Sequence, residues 1–213
     1  MRKKITRTLI VRVLERLTAQ QGKTMLARLG PGQPFRSLVT TILSARARDE
    51  VTEHVAADLL KVFPDAFALA AARPTDVEKH LRHLGLYRIK SRRLVAVARA
   101  LVDEHHGSVP ESFEELTKLP GVGRKTAGCV IVYAFSGTAL PVDTHVHRIS
   151  NRLGWVATKN PEATEMALKK VVPSEWWSRV NDLFVHHGKT ICKPIRPECS
   201  VCPVSADCPK IGV

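Results

Sequence analysis

Apolar residues recur at three- and four-residue intervals along almost the whole chain, and no stretch alternates apolar with polar residues as a half-buried strand would. That periodicity commits the chain to packing helix against helix. Leu9, Val13 and Leu17 form one stripe; Val51, Val55, Leu59 and Phe63 form another, with Asp49 read as the N-cap before it. Asp65 and Thr75 open two short helices, the second carrying Val77, Leu81 and Leu84 to a stop at Gly85. Ser91 opens a longer one through Leu94, Val97 and Leu101, with Gly107 as its terminator. Further helices are expected over 111–119, 124–135, 144–153, 161–171 and 174–187, with Ala127, Val130, Ile131 and Ala134 facing inward on the second of these. The fold class is therefore all-α. Gly137 to Pro141 is the best candidate for a boundary.

The chain has 213 residues, 44% of them hydrophobic, enough for a genuine core. Lysine and arginine number 33 against 20 acidic residues, a formal charge of +13. Such an excess points to a polyanionic partner, nucleic acid being the usual one, over the blander alternative of a basic solvated surface. No apolar run approaches the roughly 18 residues of a membrane helix. The basic start, Met1-Arg2-Lys3-Lys4-Ile5, resembles a signal peptide, but Arg12, Glu15 and Arg16 break any apolar h-region. A cytoplasmic protein is expected. Four of the five cysteines then crowd into residues 192–213, where a reducing compartment favours metal over disulfides.

Two segments carry chemistry. In Leu119-Pro120-Gly121-Val122-Gly123-Arg124-Lys125-Thr126-Ala127, two glycines around one apolar residue make a tight turn with Val122 tucked between helices. Glycine at 121 and 123 permits positive φ and close approach of another backbone. The amides of Gly123, Arg124 and Lys125 would point outward at the positive end of the next helix, a phosphate site. A plain helix–helix turn would use the same glycines; the adjoining Arg-Lys pair and the net charge favour DNA. The second segment is Cys192, Cys199, Cys202 and Cys208, spaced C-x6-C-x2-C-x5-C. Four thiolates on one short loop suit tetrahedral Zn²⁺ or a cubane iron–sulfur cluster, and spacing alone does not choose. Cys129 reads as a core thiol. Lys189, Lys193 and Arg196 put cations on or beside the same loop, a natural phosphate clamp.

The turn resembles the helix–hairpin–helix of the endonuclease III family of DNA glycosylases, and Pro141-Val142-Asp143-Thr144-His145-Val146-His147-Arg148 resembles that family's catalytic-aspartate segment. The cysteine spacing is similar to the family's [4Fe–4S] loop. The resemblance covers roughly residues 30 to 208. It implies two helical domains, a helical barrel over 27–137 containing the hairpin, and a discontinuous domain of 1–26 plus 138–213 carrying the cluster, with a cleft between them. It also implies a monomer acting on double-stranded DNA with damaged bases or abasic sites.

Lysine and aspartate fit that reading. An uncharged lysine amine can attack the sugar C1′, form a Schiff base and permit β-elimination of the 3′ phosphate. Arg124 and the first turn of a helix both disfavour a cation at Lys125. The resemblance gives Asp143 the task of stabilising the positive sugar or moving protons, while elementary helix chemistry gives it a capping role, and the two are compatible. An enzyme acting at C1′ must extrude the nucleotide and fill the gap. Gly85-Leu86-Tyr87 resembles the family's wedge loop, making Leu86 the intercalator, and Arg46 the second filler. Many family members carry Gln where this chain has Arg46, and no Arg at 48, a departure that leaves substrate choice and opposite-base preference open. Ser44, Asp49 and His145 match family positions near the pocket. The leading expectation is a bifunctional glycosylase and abasic-site lyase for oxidised pyrimidines. A mismatch thymine, uracil or adenine glycosylase of the same superfamily is a nearer rival, though those branches usually lack the lysine. A non-catalytic DNA-binding protein with a structural four-cysteine metal site is a rival of another class.

Overall fold

The structure, a computed structural model, describes residues 5–20 and 22–213; the basic start at residues 1–4 lies outside it. Among the described residues there are twelve α-helices, two short 3₁₀ turns and no strand. In chain order the helices are α1 Arg7–Thr18, α2 Met25–Leu29, α3 Pro34–Ser44, α4 Asp49–Val62, α5 Ala66–Ala71, α6 Pro74–Leu81, α7 Tyr87–His105, α8 Phe113–Lys118, α9 Arg124–Ala134, α10 Thr144–Arg152, α11 Pro161–Val171 and α12 Trp177–Thr190. No helix among them is long and apolar enough to cross a membrane.

The chain divides into two compact units, one made of Met25–Gly137 and the other of the chain up to Thr24 together with Thr138–Val213. Each has its own core. In the continuous unit, Leu38, Ile42 and Leu43 of α3, Val55 and Leu59 of α4, and Leu94, Ala98 and Leu101 of α7 pack around Leu116, Val122 and Val130. A satellite patch joins Met25 and Leu26 to Cys129 and Tyr133, so Cys129 is a buried thiol of the core. In the discontinuous unit, the stripe Leu9, Ile10, Val13, Leu14 and Leu17 meets Val146, Ile149, Leu168, Val180 and Phe184.

Helix starts follow capping chemistry where a short polar side chain is at hand. Asp65 accepts from the Ala68 amide at 2.8 Å, Ser112 from Glu115 at 3.1 Å, and Asn160 from Ala163 at 2.8 Å. Elsewhere the structure departs from the sequence-based expectation. Arg48, not Asp49, is the N-cap of α4, and Asp49 and Glu50 sit in the first turn, where acids favour the positive helix end. Pro74 at the first helical position starts α6, which closes at Leu81 rather than at Gly85. Helix α7 begins four residues before Ser91, because Leu86 takes a left-handed conformation (φ 61°) and turns the chain straight into Tyr87. Helices α2 and α3 are not marked by periodicity. Residues 37–43 of α3 are buried on every side, and the polar residues Ser37, Thr40 and Thr41 are enclosed with the apolar ones.

Candidate active site and thiolate centre

In the continuous unit, Leu119 to Val122 form a β-turn closed by the Val122 amide on the Leu119 carbonyl at 3.0 Å. Pro120 supplies the first corner, and Gly121 the second with φ +72°, the arrangement a type II turn requires. Val122 is buried between the helices. Gly123 differs from the expectation: its φ is −92°, so it is not there for a left-handed turn. It is the N-cap of α9, has no side chain to occupy the first amides, and has open space where a Cβ would stand. The exposed tip of Gly121, Gly123 and Arg124 therefore presents uncapped amides at a helix N-terminus. Arg124 stacks its guanidinium on Phe113, 4.8 Å from the ring centroid. Lys125 follows in the first turn of α9, half-buried.

The same unit brings two distant loops together. Arg46 (φ 52°) and Leu86 (φ 61°) are both held left-handed, and a Cβ on Gly85 would lie 3.8 Å from the Arg46 carbonyl oxygen. Non-glycine residues in this region store strain, which persists where surrounding structure enforces it and clusters at functional sites. Leu86 is 49% exposed. Ser44 ends α3 with its hydroxyl donating to the Thr41 carbonyl at 2.8 Å, and Asp49 opens α4 a short step of chain beyond Arg46.

In the discontinuous unit, Asp143 is the N-cap of α10, and one of its oxygens, Oδ1, accepts from both the His145 and Val146 amides at 2.9 Å. The half-buried carboxylate keeps Oδ2 outside those cap bonds. His145 packs where only glycine at 188 leaves room, since a Cβ there would stand 2.4 Å from its Nδ1. Arg148 places Nη2 3.2 Å from that Nδ1 and donates to the carbonyl of Cys192 at 2.8 Å; burial lowers its pKa.

Cys192, Cys199, Cys202 and Cys208 line a single cavity of about 20 Å³, whose remaining wall includes Ile149, Leu153, Ile191 and Val204. All four are free thiols. Burial pushes Cys202 and Cys208 up, so a thiolate there needs a bound cation or a hydrogen-bond donor. Donors are present: Arg152 Nη1 lies 3.5 Å from Cys192 Sγ, and the Lys210 amide 3.3 Å from Cys208 Sγ. His187 Nε2 stands 3.7 Å from Cys202 Sγ while its Nδ1 meets Gln20 Oε1 at 2.9 Å; burial holds its pKa down to about 4. Among the described residues no three His, Cys, Asp or Glu side chains converge on one point as ligands of a single ion would. Around one Zn²⁺, sulfurs at about 2.3 Å from the metal close in tetrahedrally. Four cysteines on one loop are a donor set that suits either Zn²⁺ or a cubane iron–sulfur cluster.

Arg152 also donates to the carbonyls of Lys193 (2.7 Å) and Pro194 (2.8 Å), and Arg12 and Arg16 clamp the nearly buried Asp207 at 2.8 and 2.9 Å. These braces of the cysteine loop join residues 40 to 195 positions apart, so nothing in the local sequence marks them. Of the expected cations, Lys189 lies in the last turn of α12, Lys193 pairs with Glu198 at 2.5 Å, and Arg196 is exposed with φ 52°.

Residues 39–174 match the model of the HhH-GPD superfamily of base excision DNA repair proteins. The chain is 50% identical over 175 residues to endonuclease III of Thermotoga maritima, covering 82% of each, and 35% identical to that of Escherichia coli, covering 82% and 83%. Its fold matches the solved structure of a trapped endonuclease III–DNA covalent intermediate, an estranged-adenine complex, with a TM-score of 0.87, 32% identity and 97% of each chain covered. The chain thus belongs to the endonuclease III family, the DNA glycosylases and abasic-site lyases of base-excision repair.

Proposed function

We propose that the chain removes oxidised pyrimidines from duplex DNA and cuts the backbone at the resulting abasic site, with Lys125 as nucleophile and Asp143 as its carboxylate partner. The observation that carries this is the split use of Asp143. Its Oδ1 caps α10, which fixes the carboxylate in place, and Oδ2 takes no part in the cap. That oxygen is the one available to face positive charge developing on a sugar. Lys125 stands in the first turn of α9 directly after the uncapped Gly123, and carries a primary amine of the kind that forms a Schiff base with a sugar aldehyde.

Lys125 Nζ bonds to C1′ as the C1′–N bond to the base breaks and the base leaves with a proton. Loss of the amine proton and ring opening give a protonated imine. Removal of a C2′ proton expels the 3′ phosphate, and water then hydrolyses the imine, freeing Lys125 and an unsaturated aldehyde on the sugar. The endonuclease III family carries a [4Fe–4S] cluster, and Cys192, Cys199, Cys202 and Cys208 are the residues that would hold it here. It would brace the loop that carries Lys193 and Arg196 and take no part in these bond changes. Arg46 and Leu86 are the residues that would fill the gap left by the extruded nucleotide.

Borohydride reduction on abasic-site duplex tests the nucleophile. A covalent adduct is expected, lost in Lys125→Ala; an adduct that survives in this variant would overturn the assignment. A brown, iron-containing preparation with visible absorbance is expected for the thiolate centre, whereas a colourless one containing zinc would refute it. Lesion choice is read from duplexes carrying oxidised pyrimidines against mismatched thymine or adenine.

A further inference from the structure

Helix α7 passes beside the hairpin turn. A Cβ on Gly121 would lie 2.5 Å from Nε, 2.8 Å from Cδ and 3.1 Å from Cγ of Arg93, so the arginine side chain lies across this glycine and only hydrogen leaves room for it. Arg93 is half-buried, and among the described residues it makes no ion pair or hydrogen bond. Elsewhere on α7, Arg88 stacks on Tyr87 at 5.4 Å and Arg99 donates to the Ala70 carbonyl at 3.2 Å, while the adjacent Arg92 is exposed to solvent. Holding a long side chain over a turn costs rotamer freedom, and a guanidinium left without an acid needs an anion to recover it. The turn below it ends in the open amides of α9.

We propose that Arg93 is a further ligand of the DNA backbone, its guanidinium donating to a phosphate beside the one received by the hairpin amides. The inference rests on the DNA-binding reading of that hairpin. A planar fork matches two phosphate oxygens, and such a contact positions the duplex without reading its sequence. Arg93 lies seven residues after Leu86, the residue just outside the start of α7, and about 9 Å along the helix axis from Tyr87. A phosphate gripped at Arg93 therefore sets how far the duplex advances toward Leu86.

Arg93→Met tests this, because methionine keeps three atoms where Cγ, Cδ and Nε lie over Gly121 and removes only the charged head. Affinity is measured over a range of salt for a duplex carrying a tetrahydrofuran abasic-site analogue and for an undamaged duplex. The slope of log K against log salt is expected to become shallower by about 0.9 on both duplexes, with an unchanged melting temperature. Between 50 and 200 mM salt this is about a 3.5-fold smaller loss of affinity than wild type shows. Arg93→Lys should recover most of the slope. An unchanged slope, or a loss confined to the damaged duplex, overturns the proposal. If Arg93→Met melts early, Arg93→Gln, neutral and polar, is read in the same way. Wild-type protein that fails to bind either duplex refutes the hairpin reading instead.

Discussion

Lys90 stands one turn into α7 with its side chain buried and its Nζ without a hydrogen-bond partner among the described residues. Burial lowers its pKa from the ordinary 10.5, because the charged form loses water and gains nothing in return. Between the lowered value and 10.5 the unfolded chain binds the proton more readily than the folded one. Folded stability therefore rises with pH through that window. Lys90→Met removes the penalty, so at pH 7 it should stabilise the protein by about 1–2 kcal/mol in urea unfolding. The gap to wild type should close as pH approaches 10.5, and a gap independent of pH would show that the ammonium is satisfied. Arg152 is the opposite case, a buried cation with three oxygen or sulfur acceptors. Arg152→Gln leaves the carbonyls of Lys193 and Pro194 without their donor, and a loss of about 2–3 kcal/mol is expected, read as faster proteolysis within residues 192–208.

At the level of elements, α10 separates capping from catalysis. Asparagine caps a helix about as well as aspartate, so Asp143→Asn should leave the melting temperature nearly unchanged while turnover falls by about 10²–10⁴. Asp143→Ala should lose the same turnover and about 1 kcal/mol of stability in addition. Equal activity in Asp143→Asn and wild type would reduce Asp143 to a cap. Which elements are legible in the chain follows the same logic. The starts of α9, α10 and α11 can be read directly, because Gly123, Asp143 and Asn160-Pro161 punctuate them locally. The full enclosure of α3 cannot, since its short Ser/Thr stripe reads like a solvent face, and the start of α7 is hidden, since nothing local announces a left-handed leucine. The residues proposed for chemistry sit in contiguous motifs and can be named from them. Arg93 over Gly121, His187 beside Cys202 and the two arginines on Asp207 arise only when elements far apart in the chain pack together, and no local spacing encodes that.

For the molecule as a whole, the two cores make separate predictions about metal removal. Cys192, Cys202 and Cys208 pack against the core of the discontinuous unit, whereas the core of Met25–Gly137 contains no residue of the cysteine loop. Stripping the proposed cluster by oxidation and chelation should lower the melting of the first unit and leave that of the second near its original temperature, giving two transitions by calorimetry. A single transition shifted as a block would mean that the units unfold as one. A net charge of +13 spread over the chain should keep duplex binding strongly dependent on salt in every variant.

The apolar stripe of α1 is covered by residues that lie far away along the chain, Val180 and Phe184 of α12 among them. During synthesis α1 leaves the ribosome well before the residues that cover it. Met25–Gly137 holds its own core and can fold while translation continues. Until α12 emerges, the nascent chain therefore carries a folded middle beside an α1 whose apolar stripe is still bare.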